Sequence, residues 1–329
     1  MGKMFDAVKH AFCTAGAVLG IAALGTASAG TVDTAPQNGG TRVEDGQDSL
    51  DVFDPVTRKR HFEAHGDRWA VFAEKGREGE CMAKAMGWIL DQKELDVLST
   101  PLDKVLLLVP KGREAAPGCI MRVSEEGEMH MDSVFPVLKG LPNEMHCRYA
   151  YRWQRTGGAE ADLFFAFEGG PHVSLYDPFF LLDAESFKQD APVTMEVAAW
   201  AYSARKATED SHILSPDSGA YKDLRRMYPD TGEEIRISLK GIRAMLPREY
   251  ASEFNFRVPV EGVEKIMCAD WPMYRITTTL VGEGEGLRAY LYVAERLLGD
   301  YVPQVGDDIE GRYWLTGHLM SRETFFSAD

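Results

Sequence analysis

Leu287-Arg-Ala-Tyr-Leu-Tyr-Val293 and Ile309-Glu-Gly-Arg-Tyr-Trp-Leu-Thr-Gly-His-Leu319 are the stretches whose reading decides the fold class. In the first, Leu287, Ala289, Leu291 and Val293 alternate with Arg288, Tyr290 and Tyr292. In the second, Ile309, Tyr313, Leu315 and Leu319 alternate with Glu310, Arg312, Trp314, Thr316 and His318. A period of two sends successive side chains to opposite faces of a strand. The first set of each stretch is therefore expected to fill a core. The second sets bring Tyr290, Tyr292, Arg312, Trp314 and His318 to the other face. Rings with cationic neighbours stack on sugars or on peptide side chains. These five residues are the candidate binding site.

The flanking sequence extends the strand pattern. Glu253–Val260 alternates and ends at a turn at Gly262. Tyr274–Val281 reads as a strand, closed by the turn Gly282-Glu-Gly-Glu-Gly286 and followed by 287–293 as its hairpin partner. Ala294–Leu298 reads as one helical turn ahead of the final strand. Short strands, a small helix before the last of them and the entry Val305-Gly-Asp-Asp-Ile-Glu-Gly311 resemble a small closed barrel such as the OB-fold. The likeness is architectural and covers about a quarter of the chain.

The expected fold is α+β and strand-dominated, with a mixed N-terminal domain and a C-terminal OB-like β-barrel. The expected division is a signal peptide at 1–29, a flexible leader at 30–66, a mixed α+β domain at 67–205, a linker at 206–232 and the small barrel at 233–329. The linker carries one short helix near Tyr221–Met227. In the mixed domain, Trp69–Ala73 reads as a strand. Met82–Leu95 reads as a helix, with apolar residues at Met82, Met86, Ile89 and Leu90. Val105–Val109 reads as a buried strand stopped by Pro110, and 163–167 and 172–176 as two strands joined by a turn. Val193–Tyr202 is apolar and fits either strand or helix. Leu239–Leu246 reads as a short helix ended by Pro247.

Met1–Ala29 has the three parts of a secretory signal. Lys3, Lys9 and His10 precede the uncharged run Ala11–Leu24, and Ala27-Ser28-Ala29 supplies small residues ahead of Gly30. A membrane span needs about 20 apolar residues, more than this run holds. The chain is expected to be exported, to a periplasmic or extracellular place, without stable membrane insertion after cleavage. Removing Lys3, Lys9 and Asp6 with the leader leaves 34 basic against 50 acidic residues, a net charge of −16 where the full chain has −15. Such a chain repels phosphate backbones, which argues against nucleic acid. Cys81, Cys119, Cys147 and Cys268 remain. In an oxidising compartment they either form two disulfides or stay as buried thiols.

No nucleophile elbow, P-loop or dinucleotide fingerprint is present, and the glycines at 282–286 lack the helix such a fingerprint needs. His61-Phe-Glu-Ala-His65 places two histidines on one helical face, but Arg58-Lys-Arg60 beside them opposes a cation. Glu128-Met-His-Met131 and Glu144-Met-His-Cys147 are near-copies. If the two segments paired, Met129, Met131, Met145 and Cys147 would converge as a soft-donor site for Cu(I). Read as core, the same residues are buried strand faces. No cofactor is implied, and the acids are too many to select a catalytic pair.

The function this reading prefers is an exported, non-catalytic binding or interaction protein with a glycan or protein ligand. The first alternative is an exported hydrolase without a recognisable motif. The second is a periplasmic copper-handling protein using Met129, Met131, Met145 and Cys147. N-terminal sequencing of the protein from its native host is expected to begin at or near Gly30. Recovery of intact Met1 from the cytoplasm would contradict export.

Overall fold

The alternating stretches form strands, and so does most of the chain around them. The computed structural model describes residues 66–321 and 326, apart from 75–76, 100–103, 154–158, 167–172, 188–190, 218, 228–233, 249 and 283–285. The expected signal peptide, the leader up to 65 and the His61/His65 pair lie outside the described residues. Strands β1 (Leu95–Ser99), β2 (Val105–Pro110), β3 (Ala115–Val123) and β4 (Met129–Leu138) come first. They are followed by β5 (Leu141–Arg152), β6 (Ala161–Ala166), β7 (Val173–Asp177) and β8 (Pro192–Lys206). Then come β9 (Ser211–Ile213), β10 (Arg236–Ser238), β11 (Ala244–Pro247) and β12 (Glu253–Pro259). The last are β13 (Gly262–Cys268), β14 (Trp271–Val281), β15 (Leu287–Ala294) and β16 (Asp308–Leu319).

The strands are joined in three sheets. β1 to β4 form an antiparallel sheet in sequence order, and β9 pairs with β10. The third sheet runs β11-β12-β16-β7-β6-β5-β8-β15-β14-β13, and β16 also pairs with β8. That last pairing closes β16, β7, β6, β5 and β8 into a five-stranded barrel. The barrel thus takes four strands from 141–206 and one from 308–319, so it is not confined to 233–329. The reason is β8: it hydrogen-bonds β16 from Met195↔Leu319 to Lys206↔Ile309 and β15 from Ala198↔Tyr290 to Trp200↔Tyr292. A local pattern does not reveal such long-range partners.

Two cores follow from two-sided burial. Leu287, Ala289, Leu291, Val293, Ile309, Tyr313, Leu315 and Leu319 sit in one apolar cluster with Met195, Val197, Leu163 and Leu175. This is the inward set read from the alternation. The opposite faces of the same strands carry Trp200, Tyr292 and Trp314, which pack with Trp69, Phe135 and Leu107 beneath the four-stranded sheet. β3 and β4 hold Pro117 opposite Pro136. The β2 ladder stops at Leu108↔Cys119, before Pro117, and β4 is an edge strand, so neither proline interrupts a sheet with neighbours on both sides.

Two local expectations are corrected. Gly66–Phe72 is a 3-10 helix rather than part of a strand. Adjacent residues in such a helix lie about 120° apart, which lets both Arg68 and Trp69 turn inward, at 2% and 0% exposure. Residues 239–246 are not a helix: Gly241 has φ 71°, outside the right-handed helical region, and Ala244–Pro247 pairs with β12. Of the two alternatives for the cysteines, the structure has the buried thiols: Cys81, Cys119, Cys147 and Cys268 are free and buried. Burial pushes the Cys119 and Cys268 thiols well up. Elsewhere Val193–Tyr202 resolves as strand, and the helix expected over Met82–Leu95 runs instead over Glu78–Asp91, burying Ala85 and Ile89 one turn apart, with Leu95 opening β1. Among the described residues no helix is long and apolar enough to cross a membrane.

Barrel closure is tight at Gly311. A Cβ there would lie 2.0 Å from the Ser203 carbonyl oxygen on β8. Gly311→Ala is expected to destabilise the protein by about 1–3 kcal/mol through overpacking, read as a lowered denaturation midpoint. An unchanged midpoint would contradict the β8–β16 contact.

Candidate functional site

The five sequence-predicted residues lie on the expected face, but four of the five are covered there. Trp314 is fully buried. Its ring stacks on Tyr176 at 4.3 Å, and the Arg68 guanidinium lies 4.6 Å from its centroid. Tyr292 is also fully buried, and its hydroxyl donates to the carbonyls of Lys139 at 2.8 Å and Glu114 at 3.2 Å. Burial pushes that hydroxyl well above the usual tyrosine range. His318 is 3% exposed, its Nε2 3.3 Å from Glu196 Oε2 and its ring between Phe179 and Phe326. Tyr290 is half-buried under the Arg275 guanidinium at 4.6 Å. Arg312 alone of the five is exposed. The expected open aromatic face is corrected: Arg68 of the 66–72 helix covers Trp314, the ends of the four-stranded sheet cover Tyr292, and Phe179 and Phe326 flank His318, because so much apolar area is favourable to remove from water.

The covering layer is polar as well as aromatic. Arg68 donates to Glu253 at 3.0 Å, and the side chains are 3% and 9% exposed. Glu160 accepts from Ser133 at 2.9 Å and from the Tyr176 hydroxyl. Asp162 accepts from the Trp153 indole at 3.1 Å and the Ser252 hydroxyl at 2.8 Å. Asp177 accepts from the Phe179 backbone N–H at 2.8 Å. Burial, then the Glu160 carboxylate beside it, holds the Tyr176 hydroxyl protonated far above its ordinary range. Nothing in the local pattern of Glu160 or Asp162 marked them, since their partners come from distant strands. Glu160, Asp162, Asp177 and Glu253 are all below one-tenth exposed. Ser133 and Glu160 join the overlying sheet to the barrel, Arg68 and Glu253 join the 66–72 helix to β12, and all four carboxylates are largely withdrawn from solvent.

The copper convergence is corrected too. β4 pairs with β3, whereas β5 pairs with β6 and β8, so the two near-copies do not pair. Met129 and Met131 pack on the core under the four-stranded sheet, and Met145 and Cys147 lie in the barrel core. Their sulfur atoms are divided between two separate interiors. Among the described residues no group of three His, Cys, Asp or Glu side chains is placed to hold a metal ion.

What remains open is the end of the same strand face, two residues before the buried rings. The register sets Leu246 beside Asn255, Asn255 beside Arg312 and Arg312 beside Ser203, one row across β11, β12, β16 and β8. The next row is Ala244, Arg257, Glu310 and Arg205. Neighbouring strands lie about 4.8 Å apart, so the face is about 14 Å wide. Leu246 is 62% exposed, and Asn255 and Arg312 are exposed. Arg248 donates to the Asn255 side-chain oxygen at 3.0 Å. Glu310 bridges Arg205 at 2.7 Å and Arg257 at 3.7 Å. The sequence signal was present in β12, where Asn255 and Arg257 alternate with Phe254 and Phe256, but only the register shows which neighbours they meet.

Trp314→Ala is expected to cost about 3–5 kcal/mol, the range for truncating a buried aromatic, measured by chemical denaturation. Retained stability would return the ring to the surface and reinstate it as a ligand contact. No family model, no curated protein and no solved structure matches this chain.

Proposed function

We propose that the chain is an exported, non-catalytic binding or interaction protein, periplasmic or extracellular, whose ligand is a glycan or a protein. The observation that carries the reading is the open row Leu246, Asn255, Arg312 and Ser203, which presents hydrogen-bonding and cationic side chains on paired strands. Groups held on a sheet lose little freedom on binding, which lowers the cost of association. The sealed carboxylates Glu160, Asp162 and Asp177 favour binding over catalysis, since general acid–base work needs a group within reach of substrate. The basic, apolar and small-residue order of 1–29 supports export. Five-stranded closure supports keeping the OB-like description for the barrel.

The test is a survey of the chain from Gly30 onward against immobilised glycans and candidate exported proteins, with turnover followed in the same wells. Saturable binding that Arg312→Ala weakens is the expected result. Release of new reducing ends or cleaved peptide from a bound ligand would overturn the non-catalytic reading.

A further inference from the structure

The exposed row lies within a cluster of arginines in an acidic protein. Arg205, Arg248, Arg257 and Arg312 fall on or beside two adjacent rows of one sheet face, in a chain of net charge −15. The arginines differ in what they are doing. Arg257 is only 11% exposed in its side chain and is held by Asp308 at 3.8 Å, by Glu310 and by the Glu209 carbonyl at 2.5 Å. Arg205 is 78% exposed and tethered to Glu310. Arg248 leans on Asn255, with Glu253 at 3.9 Å. Arg312 stands apart: among the described residues it makes no ion pair, and its Nε lies 3.5 Å from the Ser203 hydroxyl. A guanidinium on a rigid strand, flanked by three others, favours an oxyanion, because its planar fork matches two carboxylate or sulfate oxygens at once.

The neighbours select the kind of anion. The main-chain groups of β12 and β16 are engaged on both sides, β12 by β11 and β16, β16 by β12 and β8. The one edge on this face is β11, four residues ending in Pro247, which has no N–H to donate, and it lies two strands from Arg312. Main-chain addition, which gives peptide strands their affinity, is therefore poorly served beside Arg312. Leu246 is the single large apolar group in the two rows, so the face offers little to hold apolar peptide side chains. Asn255 and Ser203 instead offer an amide and a hydroxyl, groups that hydrogen-bond sugar hydroxyls in either direction. We propose that this face binds a polysaccharide strand bearing carboxylate or sulfate groups, with Arg312 as its anchor and Arg205 and Arg248 as flanking contacts. The proposal rests on the binding-protein reading above and narrows its ligand to anionic glycan.

The experiment measures affinity of the chain from Gly30 onward for a heparin hexasaccharide and for an oligouronate. Neutral dextran, a poly-glutamate peptide and a DNA duplex are run alongside. Binding to one of the two anionic sugars is expected, falling as salt rises. Arg312→Ala is expected to weaken it about tenfold, as loss of a charged hydrogen bond does. Arg312→Lys, which keeps charge but loses the fork, is expected to fall between the two. Arg288→Ala removes an equal charge from an exposed site on β15 and is expected to change nothing. Arg205→Ala serves as the second variant should Arg312→Ala melt early. Failure of both anionic sugars to bind overturns the inference, as does binding that Arg312→Ala and Arg205→Ala leave intact. Preference for DNA or poly-glutamate over both sugars overturns it also. If dextran or a protein binds through Arg312 while both anionic sugars do not, this inference falls and the binding-protein reading stands.

Discussion

The pairing of β8 with β16 is the constraint on which the rest of the structure depends. It joins residues more than a hundred positions apart along nearly the whole length of both strands. With it, five strands close and lose their free edges, and a sheet that would otherwise have one wet face becomes covered on both. One side of β16 then faces the barrel core through Tyr313 and Leu315. The other side sets Trp314 beside Trp200 of β8 and under Arg68. Gly311 shows how close the approach is, since its missing Cβ leaves room for the Ser203 carbonyl.

Closure also explains the buried polar layer. Covering the barrel's outer face with a second sheet removes strand residues from water whatever their chemistry. Polar groups in that position have to be paired, because an unmatched buried donor or acceptor costs about 1–3 kcal/mol. Ser133, Glu160 and Tyr176 meet this requirement across the interface, while Trp153, Asp162 and Ser252 meet it among the ends of β5, β6 and β12. Arg68 and Glu253 do so as an ion pair. Such pairs add little net stability over well-packed apolar groups, but removing one partner strands the other charge. The layer therefore fixes how the overlying sheet sits on the barrel more than how strongly it holds.

The open arginine face and the sealed aromatic layer are one surface at two positions along the same strands. Trp314 pairs with Trp200 and is covered, whereas Arg312 pairs with Ser203 and is not. Between them the register slips by one residue on β8, beside Tyr202, which brings Arg312 and Trp314 onto matched rows despite the insertion. Where the overlying elements end, the face changes from rings to guanidinium, amide and hydroxyl groups. A binding surface at that boundary inherits the rigidity of the buried layer beneath the next row.

Alternation made the strands legible. Leu287, Leu291, Ile309, Leu315 and Leu319 could be assigned to one core because side-chain direction in a strand has a period of two, whatever the partner. Strand dominance followed from the same pattern, but the closed barrel draws on β5 to β8 as well as β16, and not on 233–329 alone. Failures came where local pattern and tertiary contact disagreed. Trp69 sits in a 3-10 turn because Arg68 and Trp69 both have buried partners, and residues 239–246 avoid a helix because of the backbone at Gly241. Alternation says that two faces exist, not which of them is wet, so Trp314 and Arg312 looked equivalent. The sequence by itself determined strand, face and charge, which are properties of neighbours along the chain. Only the tertiary structure decided barrel membership, the sealing of Trp314, Tyr292 and His318, and the exposure of Arg312. Those depend on contacts across more than a hundred residues, whose registry no local period encodes.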